Sequence, residues 1–342
     1  MIRKKLLTAY CLSYGNWTVI PRQWAKSFGE MSDLGFDAVA LSFSESEMRY
    51  ARRTFEMQIA AAHQAGIKVF VIPSRIGGRL AGAPLMGSLW LHENPSACLP
   101  ENPGIACIES PEFREWSLEF IRTLIRDYEV DGIIWDEPKA ADFVTRHPAA
   151  VAALGEGYGK EHICRSFAEL IGDWTSAARQ IRPELIVSIF NMPHTSPQFT
   201  GLCAGLPGID YAGFDGGLSL QSYFHETPSK HKPYLMETWA RTLKECAEHH
   251  CGTFALIENM LLPASQHETF AENLESFLKS AQPDHLACYY YAHDNEVPEE
   301  VQKITMDAIH KLYSIGFNTS PLGATFCSLL FPFLRPARLR AV

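Results

Sequence analysis

Eight short apolar runs recur along the chain, and they constrain its fold more than any other feature. Each run is rich in Val, Ile, Leu, Tyr and Phe, and each is followed by a polar or glycine-containing stretch and then by apolar residues at helical spacing. The runs begin at Leu6, Asp37, Lys68, Gly132, Leu185, Tyr211, Thr253 and Leu286. Apolar strands that alternate with helices require a parallel sheet covered by those helices, and eight such units predict an α/β fold, a single closed (β/α)8 barrel.

The segments between the runs carry the expected helix signals. Pro21 begins one predicted helix, Ser110 caps another, and apolar residues at i+3 and i+4 spacing follow Pro233. The last predicted helix starts after Pro298 and ends near Gly316. We expect the barrel to occupy residues 1–318, followed by an apolar and then basic tail at 319–342. An open doubly wound sheet is the alternative, but the first turn lacks the Gly-rich phosphate-binding pattern of that fold.

Composition excludes several classes of protein. The 342 residues are 46% hydrophobic, which is enough to bury a large core without disulfides or metals. A net charge of -9 repels phosphate backbones, so no nucleic-acid partner is expected. The nine cysteines are scattered and include no Cys-x-x-Cys pair, which predicts reduced thiols. The first residues are unlike a signal peptide, so we expect the protein in the cytoplasm. No membrane span is predicted. The tail is expected to dock on the barrel, and contact with a membrane interface is the alternative. The sequence leaves the oligomeric state open.

Two long connections follow predicted strands, at 74–109 and 215–232. The loops after the carboxyl ends of the strands form the active face of a (β/α)8 barrel, so these connections are expected to shape a substrate cleft. The first contains Arg75, Arg79 and Trp90, which suit hydroxyl recognition and stacking on a sugar ring. A purely structural loop is the alternative.

Carboxylates dominate the predicted carboxyl ends of the strands. Polar or aromatic residues at these ends are Asp136, Glu137, Asn191, Asp215, Glu258, Asn259, Tyr291, His293 and Asp294. An unpaired carboxylate near a core costs several kcal/mol, so repeated placement there indicates function. These strand ends lack the residues that metal-dependent hydrolysis, Schiff-base chemistry, radical chemistry and sugar-phosphate binding need. We therefore predict neither a metal nor an organic cofactor.

Glu137 and Glu258 are the predicted catalytic pair. Two carboxyls from opposite sides of a barrel mouth suit cleavage of a glycosidic bond, in which one donates a proton to the leaving oxygen and the other acts as nucleophile or base. We expect Asp136, Asn191, Asp215, Asn259 and Asp294 to bind sugar hydroxyls, and Trp17, Tyr289 or Tyr291 to contact a sugar ring. The alternative for each glutamate alone is a salt bridge, for example to Arg75.

The chain resembles a family at these residues. Asp136-Glu137-Pro138 is similar to the Asn-Glu-Pro triplet that ends strand four in the large (β/α)8 clan of retaining glycoside hydrolases, and Ile257-Glu258-Asn259 resembles the clan's nucleophile site on strand seven. The resemblance implies that Glu137 is the acid/base, Glu258 the nucleophile and a carbohydrate the substrate.

Asp136 departs from the clan's pattern. The clan's Asn donates a hydrogen bond to the sugar 2-hydroxyl, whereas an ionised Asp accepts only. Strand alternation would also send Asp136 and Glu137 to opposite faces unless the strand ends or bulges there. A glycosidase that uses an Asp136/Asp215 pair is therefore an alternative, in which Asp136 is essential and Glu258 is tolerant of substitution. A non-catalytic carbohydrate-binding barrel is the alternative from another class.

Overall fold

A closed barrel of eight parallel strands is the centre of the protein. The computed structural model describes residues 5–11, 20–82, 87–217, 235–292 and 295–313. The barrel strands are β1 (Leu6–Cys11), β2 (Ala38–Ser44), β3 (Lys68–Ser74), β4 (Gly132–Asp136), β5 (Ile186–Asn191), β6 (Tyr211–Gly217), β7 (Gly252–Glu258) and β8 (His285–Tyr289). Each strand pairs with its sequence neighbours, and β1 pairs with both β2 and β8, which closes the barrel. The predicted fold class is confirmed, and every predicted strand begins within one residue of the observed start.

Helices surround the barrel. They are α1 (Pro21–Asp33), α2 (Glu45–Tyr50), α3 (Arg52–Gln64), α4 (Leu89–Glu93), α5 (Pro111–Asp127), α6 (Pro148–Leu154), α7 (Lys160–Ile181), α8 (Pro197–Ala204), α9 (Leu235–His249), α10 (His267–Ser280) and α11 (Pro298–Leu312). The Ser110 side chain caps α5 by accepting a hydrogen bond from the Phe113 amide, as the sequence predicts. The last helix ends at Leu312, four residues before the predicted end, and Gly316 lies outside the described residues.

The core has two layers, one inside the barrel and one between the strands and the helices. Trp135 on β4 belongs to the outer layer, where its indole nitrogen donates to Thr175 of α7 and its ring packs on Trp174. The next residue, Asp136, therefore points into the barrel. Deeper inside, the imidazole of His285 lies 2.9 Å from the Thr8 hydroxyl and 3.1 Å from the hydroxyl of Ser188.

The connection after β3 is a folded unit. It contains two 3-10 turns, Ile76–Gly78 and Pro95–Ala97, together with α4 and a hairpin formed by Cys98–Leu99 and Asn102–Ala106. It packs against α5, as the stacked rings of Trp90 and Trp116 show.

Several predictions concern residues outside the described part of the chain. Most of the second long connection, 215–232, and the whole tail, 319–342, lie there, so the predicted domain boundary at 318 stays a prediction. Within the described ranges, no helix has the length and apolar character to cross a bilayer. Among the cysteines whose side chains are described, seven are not joined in a disulfide bond.

Candidate active site

Three strand ends bring four carboxyl groups together at the mouth of the barrel. Asp136 and Glu137 come from β4, Asp215 from β6 and Glu258 from β7. Their charges act on one another. Burial raises the pKa of Glu258 to about 7, with a further contribution from Glu137. Burial also raises the pKa of Asp215 well above its usual value, and the other three carboxyls add to the shift.

The end of β4 lets two adjacent side chains reach the same cleft. The strand stops at Asp136, and Glu137 takes a φ of 39°, which is uncommon for a residue with a side chain. The Glu137 amide donates to the Phe190 carbonyl oxygen at 3.1 Å. Because Glu137 lies beyond the pleated strand, it escapes the alternation that would turn it away from Asp136.

Asp136 is the most enclosed of the four carboxyls and has a fixed partner. It is 3% exposed, and the hydroxyl of Tyr10 donates to its Oδ2 at 2.8 Å. Burial raises the pKa of Asp136 to about 7, Glu137 adds to the shift, and the Tyr10 hydrogen bond opposes it. The sequence analysis missed Tyr10, although alternation from Leu6 along β1 would have turned it inward.

The two glutamates are more open than the two aspartates. The Glu137 side chain is 12% exposed and Glu258 is half-buried, whereas Asp215 is only 6% exposed. The glutamates therefore lie where a substrate can reach them, and the aspartates lie below.

Two cations adjoin this carboxyl cluster. The ammonium of Lys139 contacts Oε2 of Glu137 in an ion pair, so Glu137 does form the salt bridge given above as the alternative, with Lys139 as its partner. Arg75 has a left-handed backbone with φ 57°, donates from Nε to the Gly82 carbonyl oxygen at 2.9 Å, and opposes the upward shift in the pKa of Asp136. Arg75 thus lies near the carboxyl cluster, and its contact with a substrate stays a prediction.

Two residues of the first long connection belong to the fold and not to the cleft. Arg79 is 2% exposed and donates to the carbonyl oxygens of Ala106, Lys139 and Ala140, so its guanidinium holds the loops together. The Trp90 ring is buried and stacks on Trp116 at a centroid distance of 4.9 Å. The expectation that Arg79 and Trp90 contact a sugar is corrected, because the connection buries both against its own framework.

Asn259 and Tyr291 also point away from the mouth. The Asn259 amide nitrogen donates to the Tyr289 carbonyl oxygen, and its oxygen accepts from the Tyr289 amide, so Asn259 ties β7 to β8. Tyr291 follows the end of β8 with φ 48°, and its hydroxyl donates to Glu299 on α11. Asn259 is almost fully buried, and β8 ends before Tyr291. The expectation that these two residues contact the substrate is therefore corrected.

The remaining predicted residues divide into two groups. Asn191 is buried at the end of β5, and its Oδ1 has no hydrogen-bond partner within the described ranges. Tyr289 points into the barrel, with its ring 5.1 Å from that of Tyr10 in an edge-on contact. Trp17, His293 and Asp294 lie outside the described residues.

No group of three or more His, Cys, Asp or Glu side chains in the described part of the chain is arranged to hold a metal ion.

No protein-family model and no curated protein matches the sequence. Solved structures match the fold. A β-galactosidase from the psychrophilic Marinomonas ef1 has a TM-score of 0.61 at 12% identity, with 89% of this chain and 59% of that chain covered. An α-L-fucosidase isoenzyme from Paenibacillus thiaminolyticus has a TM-score of 0.58 at 14% identity, with 90% and 49% covered. The catalytic domain of a β-amylase from Paenibacillus polymyxa has a TM-score of 0.58 at 9% identity, with 91% and 98% covered.

This chain therefore spans only about half to three-fifths of the length of the first two proteins. The three neighbours are glycoside hydrolases by name, and at these identities the likeness shows a shared barrel fold and nothing finer.

Proposed function

We propose that the protein is a glycoside hydrolase that acts with retention, with Glu137 as acid/base and Glu258 as nucleophile. One observation carries the proposal: two partly open glutamates stand at the carboxyl ends of β4 and β7, in one electrostatically coupled cluster at the mouth of a closed barrel. Barrel enzymes use the carboxyl ends of their strands for catalysis, and glycosidic cleavage needs two carboxyls with different roles.

In the first step, the Glu258 carboxylate attacks the anomeric carbon while Glu137 donates a proton to the glycosidic oxygen. The bond between the anomeric carbon and that oxygen breaks, the alcohol leaves, and an ester forms between the sugar and Glu258. Glu258 must be ionised to attack, and its burial makes the carboxylate more nucleophilic than it would be in water.

In the second step, Glu137 removes a proton from a water molecule that attacks the same anomeric carbon. The ester bond breaks, Glu258 recovers its negative charge, and Glu137 recovers its proton. The net reaction is hydrolysis of one glycosidic bond without a cofactor.

Other groups in the mouth have proposed binding roles. Arg75, Asn191 and Oδ1 of Asp136 can hydrogen-bond to sugar hydroxyls, and Tyr289 with Tyr10 forms an aromatic floor below the cluster. Asp136 keeps its place because Tyr10 holds it.

A panel of dinitrophenyl glycosides that varies in sugar and anomer tests the proposal. The wild-type protein is expected to hydrolyse at least one member. Glu258→Gln is expected to lose at least about 10³-fold in kcat, because it removes the nucleophile. A 2-deoxy-2-fluoro analogue of the active sugar should leave a stable ester on Glu258, detectable by peptide mass spectrometry.

The same panel separates the rival functions. A barrel that only binds carbohydrate would hydrolyse no glycoside, and its Glu258→Gln variant would change affinity modestly. An enzyme that uses Asp136 and Asp215 would tolerate Glu258→Gln and would carry the fluoro-sugar on Asp136. Either result would refute the assignment of Glu137 and Glu258.

A further inference from the structure

Asp215 lies in the mouth of the barrel without a counter-charge. Its side chain is 6% exposed, and no Lys, Arg or His of the described ranges forms an ion pair with it. Its Oδ1 has no hydrogen-bond partner among those residues. An ionised carboxylate in such a place costs several kcal/mol, so Asp215 holds a proton in the resting protein.

The groups that face Asp215 come from four other positions of the barrel. They are Asp136 and Glu137 at the end of β4, Glu258 on β7, Tyr289 on β8 and Tyr10 on β1. The three carboxyls disfavour a negative charge on Asp215, and the two tyrosines carry no positive charge that would offset it.

Glu258 and Glu137 both act on Asp215, and Glu137 is also its side-chain hydrogen-bond partner. A carboxylate can only accept hydrogen bonds, so two carboxyls in contact require one shared proton. While Glu258 beside them is negatively charged, the two acids do not both ionise, so the pair retains one proton until the sugar attaches.

Lys139 decides which of the two carboxyls carries the negative charge. Its ammonium contacts Oε2 of Glu137, whereas Asp215 has no described cation beside it. The ion pair stabilises the carboxylate of Glu137, so the shared proton rests on Asp215 and points towards Glu137. This arrangement conflicts with a general-acid role for Glu137 alone, because a general acid must begin the reaction protonated.

We infer that Asp215 is a positioning residue that supplies the proton that Glu137 donates to the leaving group. The inference rests on the proposed function. As the glycosidic bond breaks, the bond between Asp215 oxygen and hydrogen breaks, Glu137 accepts that proton, and Glu137 passes it to the glycosidic oxygen. Asp215 is then a carboxylate. In the second step the proton from water returns through Glu137 to Asp215.

This relay keeps the total charge of the carboxyl cluster constant. Glu258 is negative in the form of the protein that attacks, and it becomes a neutral ester when the sugar attaches. Asp215 is neutral in the resting protein and becomes negative in the same step. The charge that Glu258 gives up therefore appears on Asp215, and no step adds a second uncompensated charge to the buried mouth.

Leaving-group dependence tests the relay. A phenyl glycoside needs a proton donor for its poor leaving group, whereas a dinitrophenyl glycoside of the same sugar does not. Asp215→Asn keeps the size of the side chain and removes the proton. We expect it to lower kcat/KM for the phenyl glycoside by about 10²-fold or more and for the dinitrophenyl glycoside by less than about fivefold. Asp173→Asn, which changes an exposed carboxylate on α7, is the matched control and should change neither rate.

Four kinetic outcomes would overturn the relay. Equal losses on both substrates would mean that Asp215 binds the sugar, and unchanged rates would mean that its proton is not used. Asp215 and Glu137 act in series, so Glu137→Gln/Asp215→Asn should be about as slow as Glu137→Gln on the phenyl glycoside. Additive losses, or a Glu137→Gln variant that hydrolyses the phenyl glycoside as fast as the wild type, would mean that Asp215 acts without Glu137.

Infrared spectroscopy of the resting protein tests the proton on Asp215 independently of any substrate. The difference spectrum between wild type and Asp215→Asn should contain the carbonyl stretch of a protonated carboxyl group. If only the stretch of an ionised carboxylate is lost, the relay is wrong even where glycosides are hydrolysed. If the protonated band is present and no glycoside is hydrolysed, the proposed function fails and the shared proton stands.

Discussion

At the scale of single residues, burial sets the pKa of three of the four carboxyls in the mouth, whereas the fourth, Glu137, is paired with Lys139. Asp136, Asp215 and Glu258 all have raised pKa values, and burial is the largest cause for each. A carboxyl that is paired with a cation for stability would show the opposite direction. The protein therefore keeps destabilising groups at this position, which is typical of a functional site.

One residue-scale prediction concerns the pH dependence of catalysis. The pKa of Glu258, about 7, should appear as the acidic limb of kcat/KM, because a protonated Glu258 cannot attack. The negative charge of Glu137 contributes to that raised pKa. Glu137→Gln should therefore move the acidic limb to lower pH, measured with a dinitrophenyl glycoside so that loss of the acid does not abolish turnover. A limb that stays in place or moves upward would contradict this coupling.

A second residue-scale prediction concerns stability. The pKa of Asp136 is about 7 in the folded protein, above its unfolded value of about 3.9, so the folded state binds more protons between these limits. The free energy of unfolding should therefore fall as pH rises through this interval. Asp136→Asn keeps an acceptor for Tyr10 and removes the charge, so it should stabilise the protein at pH 8 by on the order of 1 to 4 kcal/mol.

Chemical denaturation of both proteins at about pH 5 and pH 8 measures this difference. The exposed surface change Glu119→Gln serves as control and should leave the pH dependence unaltered. If Asp136→Asn destabilises the protein equally at both pH values, Asp136 contributes through packing or hydrogen bonding and not through its charge.

At the scale of elements, one close contact between strands holds Asp215 in place. Gly213 on β6 faces the backbone of β7, and a Cβ there would lie 1.8 Å from the Phe254 carbonyl oxygen. That oxygen belongs to a strand paired on both sides, so it cannot move cheaply. The separation of β6 and β7, and with it the position of Asp215 two residues further on, depends on this glycine.

Gly213→Ala is therefore expected to destabilise the protein by roughly 3 kcal/mol or more, measured by thermal or denaturant unfolding. Gly201→Ala is the matched control. Gly201 lies in α8, and nothing is within 4 Å of its added Cβ. Because alanine favours helix, that variant should gain up to about 1 kcal/mol. If the two substitutions changed the free energy of unfolding equally, the close contact between β6 and β7 at Gly213 would not limit stability.

At the scale of the whole molecule, closure of the barrel depends on the chain just after the last described helix. The buried hydroxyl of Tyr313 lies 2.8 Å from the Pro283 carbonyl oxygen and 3.3 Å from that of Leu6. It thus joins the beginning of β1 to the segment before β8, the pair of strands that closes the barrel.

Measurements of stability for variants at Tyr313 and for a truncated tail test the predicted domain boundary at 318. Tyr313→Ala should cost about 3 to 5 kcal/mol, as expected for truncation of a buried aromatic residue, and Tyr313→Phe about 1 kcal/mol. Removal of residues 319–342 should leave the unfolding midpoint within about 2 °C of the full chain, because the barrel closes before that segment. A large loss of stability on truncation would place part of the tail in the fold and refute the boundary at 318.

The sequence by itself determined the elements and their order. Apolar runs with helical segments between them depend on local periodicity, which is why β3, Lys68–Ser74, was predicted to the residue. The sequence also determined which carboxyl groups lie at the strand ends, because the position of a residue can be counted from the first residue of its strand.

Only the tertiary structure decided which side chains enter the mouth. Tyr10 and Asp136 form one hydrogen bond although 126 positions separate them, and no local pattern encodes that contact. Glu137 takes a positive φ just beyond β4, whereas the ring of Trp90 is buried against a helix. Side-chain direction beyond a strand end depends on contacts between distant segments, so it follows from packing of the folded barrel and not from periodicity.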